Sequence, residues 1–246
     1  MTIKTTYLFL LTAILTAMLS GCGTMFGGQD DSASQKDAIS STDNTTAEAK
    51  TATSDKPTAL MLAAAKGDLS EIQDLVEDGN NINTLTPEGT ALSAAVENKQ
   101  QMAALYLMSV GANPNEGFKD GASSLLMTAA ARADNRVVKG LLAAGADVNY
   151  ADAQGESAIA YASYQGHLTT VKTLLKAGAD VNVTPEGQSL LMHIVNNNDL
   201  LLAQVVIAAG ADVNYADKSG NTALKIAQEK GLSDLEMLLV QSGATS

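Results

Sequence analysis

One ten-residue phrase decides how this chain folds. The segment AAGADVNYAD occupies positions 143–152 and recurs unchanged at positions 208–217. Looser copies are AGADVN at 177–182, VGANPN at 110–115 and EDGNNIN at 77–83. The shared glycine falls at positions 79, 111, 145, 178, 210 and 243, at intervals of 32 to 34 residues. The sequence therefore predicts a tandem array of six units, each about 33 residues long.

A second landmark keeps the same phase as the glycine. An apolar residue stands two positions after a threonine or serine in every unit: Leu60, Leu92, Leu126, Ile159, Leu191 and Leu224. Thr or Ser at positions 58, 90, 124, 157, 189 and 222 is a good N-cap for a short, alanine-rich first helix. Leu168, Val171 and Leu174 have the spacing of a second, amphipathic helix. The glycine then ends that helix in a left-handed conformation, and the Val of ADVN points inward.

The fourth unit resembles the ankyrin repeat. It contains Asp152, Gly155, Ser157, Ile159 and Ala162, then Gly-His-Leu at 166–168 and GADVN at 178–182. The resemblance implies an all-α ankyrin-repeat solenoid of about six helix-turn-helix repeats with β-hairpin or turn connections. We expect the repeat domain to span residues 57–246, with repeats at about 57–86, 87–118, 119–151, 152–183, 184–216 and 217–246.

This array departs from the family pattern TPLH. Ala or Leu replaces the proline in every copy, and the histidine is replaced throughout, by Met61, Ser93, Met127, Ala160, Met192 and Lys225. The Thr–His hydrogen bond typical of the family is therefore missing, and we expect a less stable array. Ile194 stands where other copies have a small alanine, which predicts looser packing in the fifth repeat.

The N-terminus is interpreted as a targeting signal. Lys4 precedes an apolar run at positions 7–19, which is short for a permanent membrane span. The run ends in LSGC at 19–22, which resembles the lipobox of bacterial lipoproteins; a plain secretory signal is the alternative. The resemblance implies removal of residues 1–21 and acylation of Cys22. Gly23 stands where Asp commonly retains lipoproteins at the inner membrane, which favours the periplasmic face of the outer membrane.

Residues 22–56 are expected to form a tether after the lipidated cysteine. This stretch is rich in Ser, Thr and Asp and carries almost no apolar residues. It cannot bury enough surface to offset the entropy of ordering. A random coil of this length spans on the order of 30 Å, which is enough to hold a folded domain clear of lipid headgroups.

Composition and spacing argue against several functions. A formal net charge of −12 does not suit nucleic-acid phosphates. One cysteine and two histidines form neither a disulfide nor a Cys/His metal site. Asp147, Asp180 and Asp212 are one repeat apart, about 10 Å in a stacked array, whereas calcium ligands lie about 2.3–2.6 Å from the ion. No nucleophile turn or phosphate loop is present, so we predict no enzyme, cofactor or metal.

Binding residues are expected where the repeats differ. Exposed positions of the first helices and the tips of the connections form one surface, called here the concave face. Tyr164 and Arg132 are typical interface anchors, and Phe118 has no obvious core role. The other candidates are Gln165, Glu97, Asn98, Lys119, Asp120, Gln154, Glu186, Asn196 and Asn197. Packing is the favoured role for His167 and His193, with binding as the alternative for His193.

These features predict a monomeric, membrane-anchored scaffold for a protein partner. Residues from position 57 onward include 21 acidic and 11 basic side chains, so a basic partner surface would associate faster. The partner hypotheses are a toxin blocked by an immunity-type inhibitor and a periplasmic enzyme assisted by a stress-defence factor. A self-associating structural array and an enzyme with a site between repeats are the competing alternatives.

Overall fold

Twelve α-helices form six consecutive pairs in the computed structural model, which describes residues 53–117 and 122–245. The first helices of the pairs are α1 (Ala59–Lys66), α3 (Ala91–Glu97), α5 (Leu125–Ala131), α7 (Ala158–Tyr164), α9 (Leu190–Asn196) and α11 (Ala223–Glu229). The second helices are α2 (Leu69–Glu77), α4 (Gln101–Ser109), α6 (Asn135–Ala143), α8 (Leu168–Lys176), α10 (Leu200–Ala208) and α12 (Ser233–Gln241). Each helix packs on its own partner and on its equivalent in the next repeat. The predicted all-α ankyrin-type solenoid of six repeats is confirmed.

The predicted N-caps lie at the starts of all six first helices. Thr58, Thr90, Ser124, Ser189 and Thr222 each accept a hydrogen bond from the backbone N–H three residues on. Ser157 stands at the N-cap position of α7, but its side chain accepts no hydrogen bond from the helix. Its buried hydroxyl has no hydrogen-bond partner among the described residues. Ser93 Oγ accepts from the Thr90 N–H at 2.8 Å, so one departure from the family pattern supplies its own capping box.

Small residues let the first helices approach one another. Ala63, Ala95, Ala162 and Ala227 are all completely buried. Ile194, at the equivalent position of the fifth repeat, is 1 % exposed and therefore fits into the same interface. In the second helices Leu107, Leu141 and Leu174 complete one continuous core. Carboxylates lie at the two ends of this helix layer: Glu71 in α2 and Glu236 in α12.

The connections between repeats contain few backbone pairs. In the described residues they form isolated bridges, such as Ala151 with Ser157 and Thr86 with Gly89, rather than extended strands. The Asp152 carboxylate fixes the tip of the connection before α7. It accepts hydrogen bonds from the backbone N–H groups of Gln154 and Glu156, at 3.0 and 2.9 Å. Where the fifth repeat lacks this Asp, Pro185–Gly187 forms a 3-10 turn instead.

The recurring Asn clamps each repeat to the next. Asn149 Nδ2 donates to the Gly178 carbonyl at 3.2 Å, and its Oδ1 accepts from the Asp180 N–H at 2.8 Å. The same pair of bonds joins every other neighbouring pair of repeats, through Asn83, Asn115, Asn182 and Asn214. The phrase AGADVN thus contains both halves of this contact. Its glycine carbonyl and aspartate N–H bond to the asparagine of the preceding repeat, and its own asparagine bonds to the following repeat.

Replacing Asn149 with alanine is expected to lower the free energy of unfolding by about 1–2 kcal/mol, because two hydrogen bonds between repeats are lost together. Urea unfolding followed by circular dichroism measures the change. Asn214→Ala is the matched control, since it frees only the C-terminal Gly243 and Thr245, and a smaller shift is expected there. An unchanged unfolding midpoint for Asn149→Ala would contradict the clamp.

The turn between the two helices of a repeat requires a left-handed residue. Gly67, Gly166 and Gly231 fill it in three repeats, but Lys99, Ala133 and Asn198 adopt the same conformation with φ of 59°, 53° and 55°. A Cβ in this region costs about 1–2 kcal/mol for ordinary residues, while asparagine tolerates it better. Three of the six turns are therefore built with residues that fit them less well than glycine.

Ala133→Gly is expected to stabilise the array by about 0.5–1 kcal/mol, because relief of the left-handed strain exceeds the added flexibility of the unfolded chain. The unfolding midpoint in urea reports the gain. Asn198→Gly serves as the comparison and should gain less, because asparagine already tolerates this conformation. A destabilised Ala133→Gly variant would show that the turn is unstrained.

Candidate functional site

Most of the predicted binding residues lie on the concave face with exposed side chains. These are Arg132, Gln165, Glu97, Asn98, Gln154, Glu186, Asn196 and Asn197, whereas Tyr164 is half-buried. Phe118, Lys119 and Asp120 lie outside the described residues, as does Cys22. The structure thus gives nine of the candidates a position, and their assignment as contacts for a partner stays a prediction.

Arg132 has a structural partner that the sequence did not predict. Its Nη1 donates to the carbonyl oxygens of Val96 and Glu97, at 2.9 and 3.2 Å, at the C-terminal end of α3. Lys230 makes the same kind of contact with the Asn196 carbonyl at 2.8 Å. A cation at the carbonyl end of a helix is favourable because it meets the negative end of the helix dipole. Arg132 therefore braces the second and third repeats, although its side chain remains exposed.

Tyr164 packs against His193 of the next repeat. The ring centroids are 4.9 Å apart and the ring planes are tilted by 55°. Tyr164 Oη and His193 Nε2 are both enclosed, and neither has a hydrogen-bond partner among the described residues. The packing role expected for His193 is therefore present, and its neighbour is the residue predicted to be the leading binding anchor.

Burial and two carboxylates set the charge state of this ring pair. Burial raises the pKa of Tyr164 well above its usual value, and the negative charges of Glu156 and Glu186 raise it further. Burial lowers the pKa of His193, and the same two carboxylates act in the opposite direction. Glu156 is close enough to affect the Tyr164 hydroxyl, although the two groups do not reach hydrogen-bond geometry. Burial therefore favours the neutral form of both rings.

A depression lies beside this pair, between the third and fourth repeats. It has a volume of about 230 Å³ and is lined by Ser123, Met127, Thr128, Ala131, Arg132 and Tyr161. Tyr161 is fixed in its wall because its hydroxyl donates to Asp152 Oδ2 at 2.9 Å. Ala131 occupies in the third repeat the helix position that Tyr164 occupies in the fourth. The small Ala131 side chain leaves space beside Tyr161. In the next repeat pair, the Tyr164 ring fills the equivalent space beside His193.

Sequence reasoning missed Tyr161 and Glu156 as members of this surface. Tyr161 lies four residues after its N-cap, at the position that His193 occupies in the next repeat, so repeat phase could have found it. Glu156 follows the tip glycine and is half-buried beside the rings. His167, by contrast, is the N-cap residue immediately before α8, and its Nε2 lies 3.1 Å from the Ala131 carbonyl oxygen, in the structural role expected for it.

Neither a metal cluster nor a membrane span is found in the described residues. No three His, Cys, Asp or Glu side chains within 53–117 and 122–245 are placed to share a metal ion. Across the same residues every helix is too short or too polar to cross a bilayer. What these residues do offer is a stacked helical scaffold whose concave face carries aromatic, acidic and cationic side chains in a row.

Fold and surface together define a helical-repeat scaffold for protein–protein interaction, a class whose members typically bind rather than catalyse. The family model for ankyrin repeats (three copies) matches residues 33–117 and 113–185, which together cover more than half of the chain. The chain belongs to the ankyrin repeat family.

Known proteins of the same family are similar over most of this chain. YahD of Escherichia coli strain K12, named an ankyrin repeat protein, is 27% identical over 197 residues, which cover 76% of this chain and 97% of YahD. The crystal structure of an ankyrin repeat domain from Acinetobacter baumannii AYE is 30% identical, with a TM-score of 0.71 over 76% of this chain and 98% of that one. The ankyrin repeat domain of Bcl-3, of the IkappaB family, is 28% identical, with a TM-score of 0.68 over 78% of this chain and 89% of that one.

Proposed function

We propose that this protein is a membrane-anchored scaffold of the bacterial envelope that binds a protein partner on the concave face of repeats three to five. The observation that carries the proposal is the depression walled by Tyr161 and Arg132 beside the Tyr164–His193 pair. Aromatic residues and arginine are enriched at interface hot spots, because they bury large areas and form specific polar contacts. The scaffold supports this surface from below through a buried core, so the side chains are held before a partner arrives.

The position of the anchor complements this binding surface. Lipidation at Cys22 would hold the array at the membrane, and residues 23–56 would give it reach. Two or more acyl chains anchor a protein stably, whereas one chain binds only marginally. With Gly23 after the cysteine, the proposed site is the periplasmic face of the outer membrane. A delivered toxin or a resident envelope enzyme would both be accessible there.

Ala131→Tyr tests the concave face by filling the depression. The added ring would occupy the space beside Tyr161, just as Tyr164 packs against His193 one repeat later, so the fold should be retained. Partner capture should fall by about tenfold. Crosslinking and pull-down from envelope extracts of the native host measure capture. Circular dichroism and urea unfolding verify that each variant is folded.

Ala65→Tyr is the matched control, because Ala65 holds the equivalent position in the first repeat, away from the proposed surface. Tyr164→Ala provides a second, subtractive variant. Equal recovery of the same partners by wild type, Ala131→Tyr and Tyr164→Ala would refute the assignment. A captured toxin would favour an immunity role, and a captured envelope enzyme would favour an accessory role.

Cys22→Ser is expected to move the protein from the membrane fraction to the soluble fraction, because the acyl chains lose their attachment atom. Fractionation followed by immunoblotting measures the distribution, and intact-mass analysis of the wild type detects the lipid. Gly23→Asp is the companion variant and should shift the anchored protein towards the inner membrane. A cleaved Cys22→Ser protein that still sediments with membranes would contradict lipid anchoring.

A further inference from the structure

We propose that the Tyr164–His193 pair, flanked by Glu156 and Glu186, receives a cationic side chain, arginine above all, from the protein partner. The proposal rests on the proposed binding function and specifies the chemistry that one part of the concave face recognises. It commits to a basic segment of a folded protein as the occupant, and charge complementarity is the reason.

The electrostatic surroundings of the ring pair are negative. Glu156 and Glu186 are the charged groups that act most strongly on both rings. Within residues 53–117 and 122–245 no basic side chain forms an ion pair with these two carboxylates. A cation arriving there would therefore find charges that are not already neutralised.

Both carboxylates lie on tips whose backbone is fixed by hydrogen bonds. The Glu156 N–H donates to Asp152 Oδ1 and the Glu156 carbonyl accepts from the Asp152 N–H, each at 2.9 Å. The tip that carries Glu186 is held by the end of its own repeat, because Tyr215 Oη donates to the Gly187 carbonyl at 3.0 Å. Fixed tips reduce the ordering cost of binding, since only the side chains remain to be positioned.

The rings supply the second half of the site. A guanidinium group stacks on aromatic faces and donates up to five hydrogen bonds, and it accepts none. The faces of the two rings can stack on the guanidinium, and the carboxylate oxygens can accept its hydrogen bonds. Tyr164 and His193 are not tied by hydrogen bonds through Oη and Nε2, so they can adjust to an incoming group without breaking a polar contact.

No other described pair of repeats repeats this combination. At the positions of Tyr164 and His193, the first and second repeats have Ala65 and Ala94. The second and third repeats have Glu97 and Thr128, and none of these four residues offers an aromatic face. The last pair has Asn196 and Ile226. Tyr161 faces Ala131 and the Arg132 side chain, and this arginine already supplies a positive charge at that depression.

A titration with small probes tests the site directly. The full-length chain in an uncharged detergent, at pH 7 and constant ionic strength, is titrated with Nα-acetyl-arginine amide and with its neutral isostere Nα-acetyl-citrulline amide. Ring proton and carbon resonances of the two histidines are followed by NMR, with His167→Gln providing the assignment. We expect the arginine probe to shift the His193 resonances saturably, with a dissociation constant on the order of millimolar, while His167 does not respond.

The carboxylates are tested by variants that keep side-chain shape. Glu156→Gln/Glu186→Gln should weaken binding of the arginine probe by about tenfold or more. Glu88→Gln is the matched control, because Glu88 and Glu186 lie in the same tetrapeptide, Thr-Pro-Glu-Gly, and it should bind as the wild type does. Equal shifts with arginine and citrulline probes, or wild-type affinity in the double variant, would overturn the proposal.

Partner capture separates this inference from the proposed function. If Ala131→Tyr abolishes capture while the folded Glu156→Gln/Glu186→Gln variant captures as well as wild type, the concave face binds the partner and the cation site is refuted. If neither changes capture, the proposed binding surface itself is wrong. Loss of capture in both variants, with Glu88→Gln unaffected, supports both.

Discussion

The array depends on one polar contact, the asparagine clamp between consecutive repeats. Each repeat presents two short amphipathic helices that cannot bury their apolar faces alone, so neighbours must stack. Apolar packing tolerates small changes of angle and offset, whereas the clamp requires one carbonyl and one N–H at fixed distances from a single side-chain amide. The clamp therefore fixes the register that the hydrophobic core alone leaves adjustable.

Local signals in the sequence predicted the architecture well, and contacts between repeats were harder to predict. Helix starts follow from Thr and Ser caps, and helix ends follow from glycine, because both act within a few residues along the chain. The asparagine also has a plausible role in its own turn, so sequence could not show that its side chain bonds to a repeat about thirty residues later. Arg132 was missed as a brace for the same reason: its carbonyl partners belong to another helix.

The candidate site illustrates how function and scaffold divide the residues of a repeat. Positions that make the clamp, the caps and the core are nearly invariant among the six copies of this chain, so they describe the fold. Two helix positions that point to the concave face vary freely, and in the fourth and fifth repeats they bring Tyr161, Tyr164 and His193 into one row. Repeat phase indicates that these positions share a surface, but only the structure shows that Tyr164 contacts a ring of the next repeat while Ala131 leaves a gap.

Two carboxylates lie on the first and the last of the six second helices that the structure describes. Glu71 in α2 and Glu236 in α12 occupy helix positions that the interior repeats fill with buried Ala, Val, Leu or Thr side chains. Two molecules that tried to continue the stack head to tail would bring these acids into a dry interface, which is unfavourable for an unpaired charge. A head-to-tail contact of this kind would therefore be opposed at the same helix positions that join neighbouring repeats within one chain.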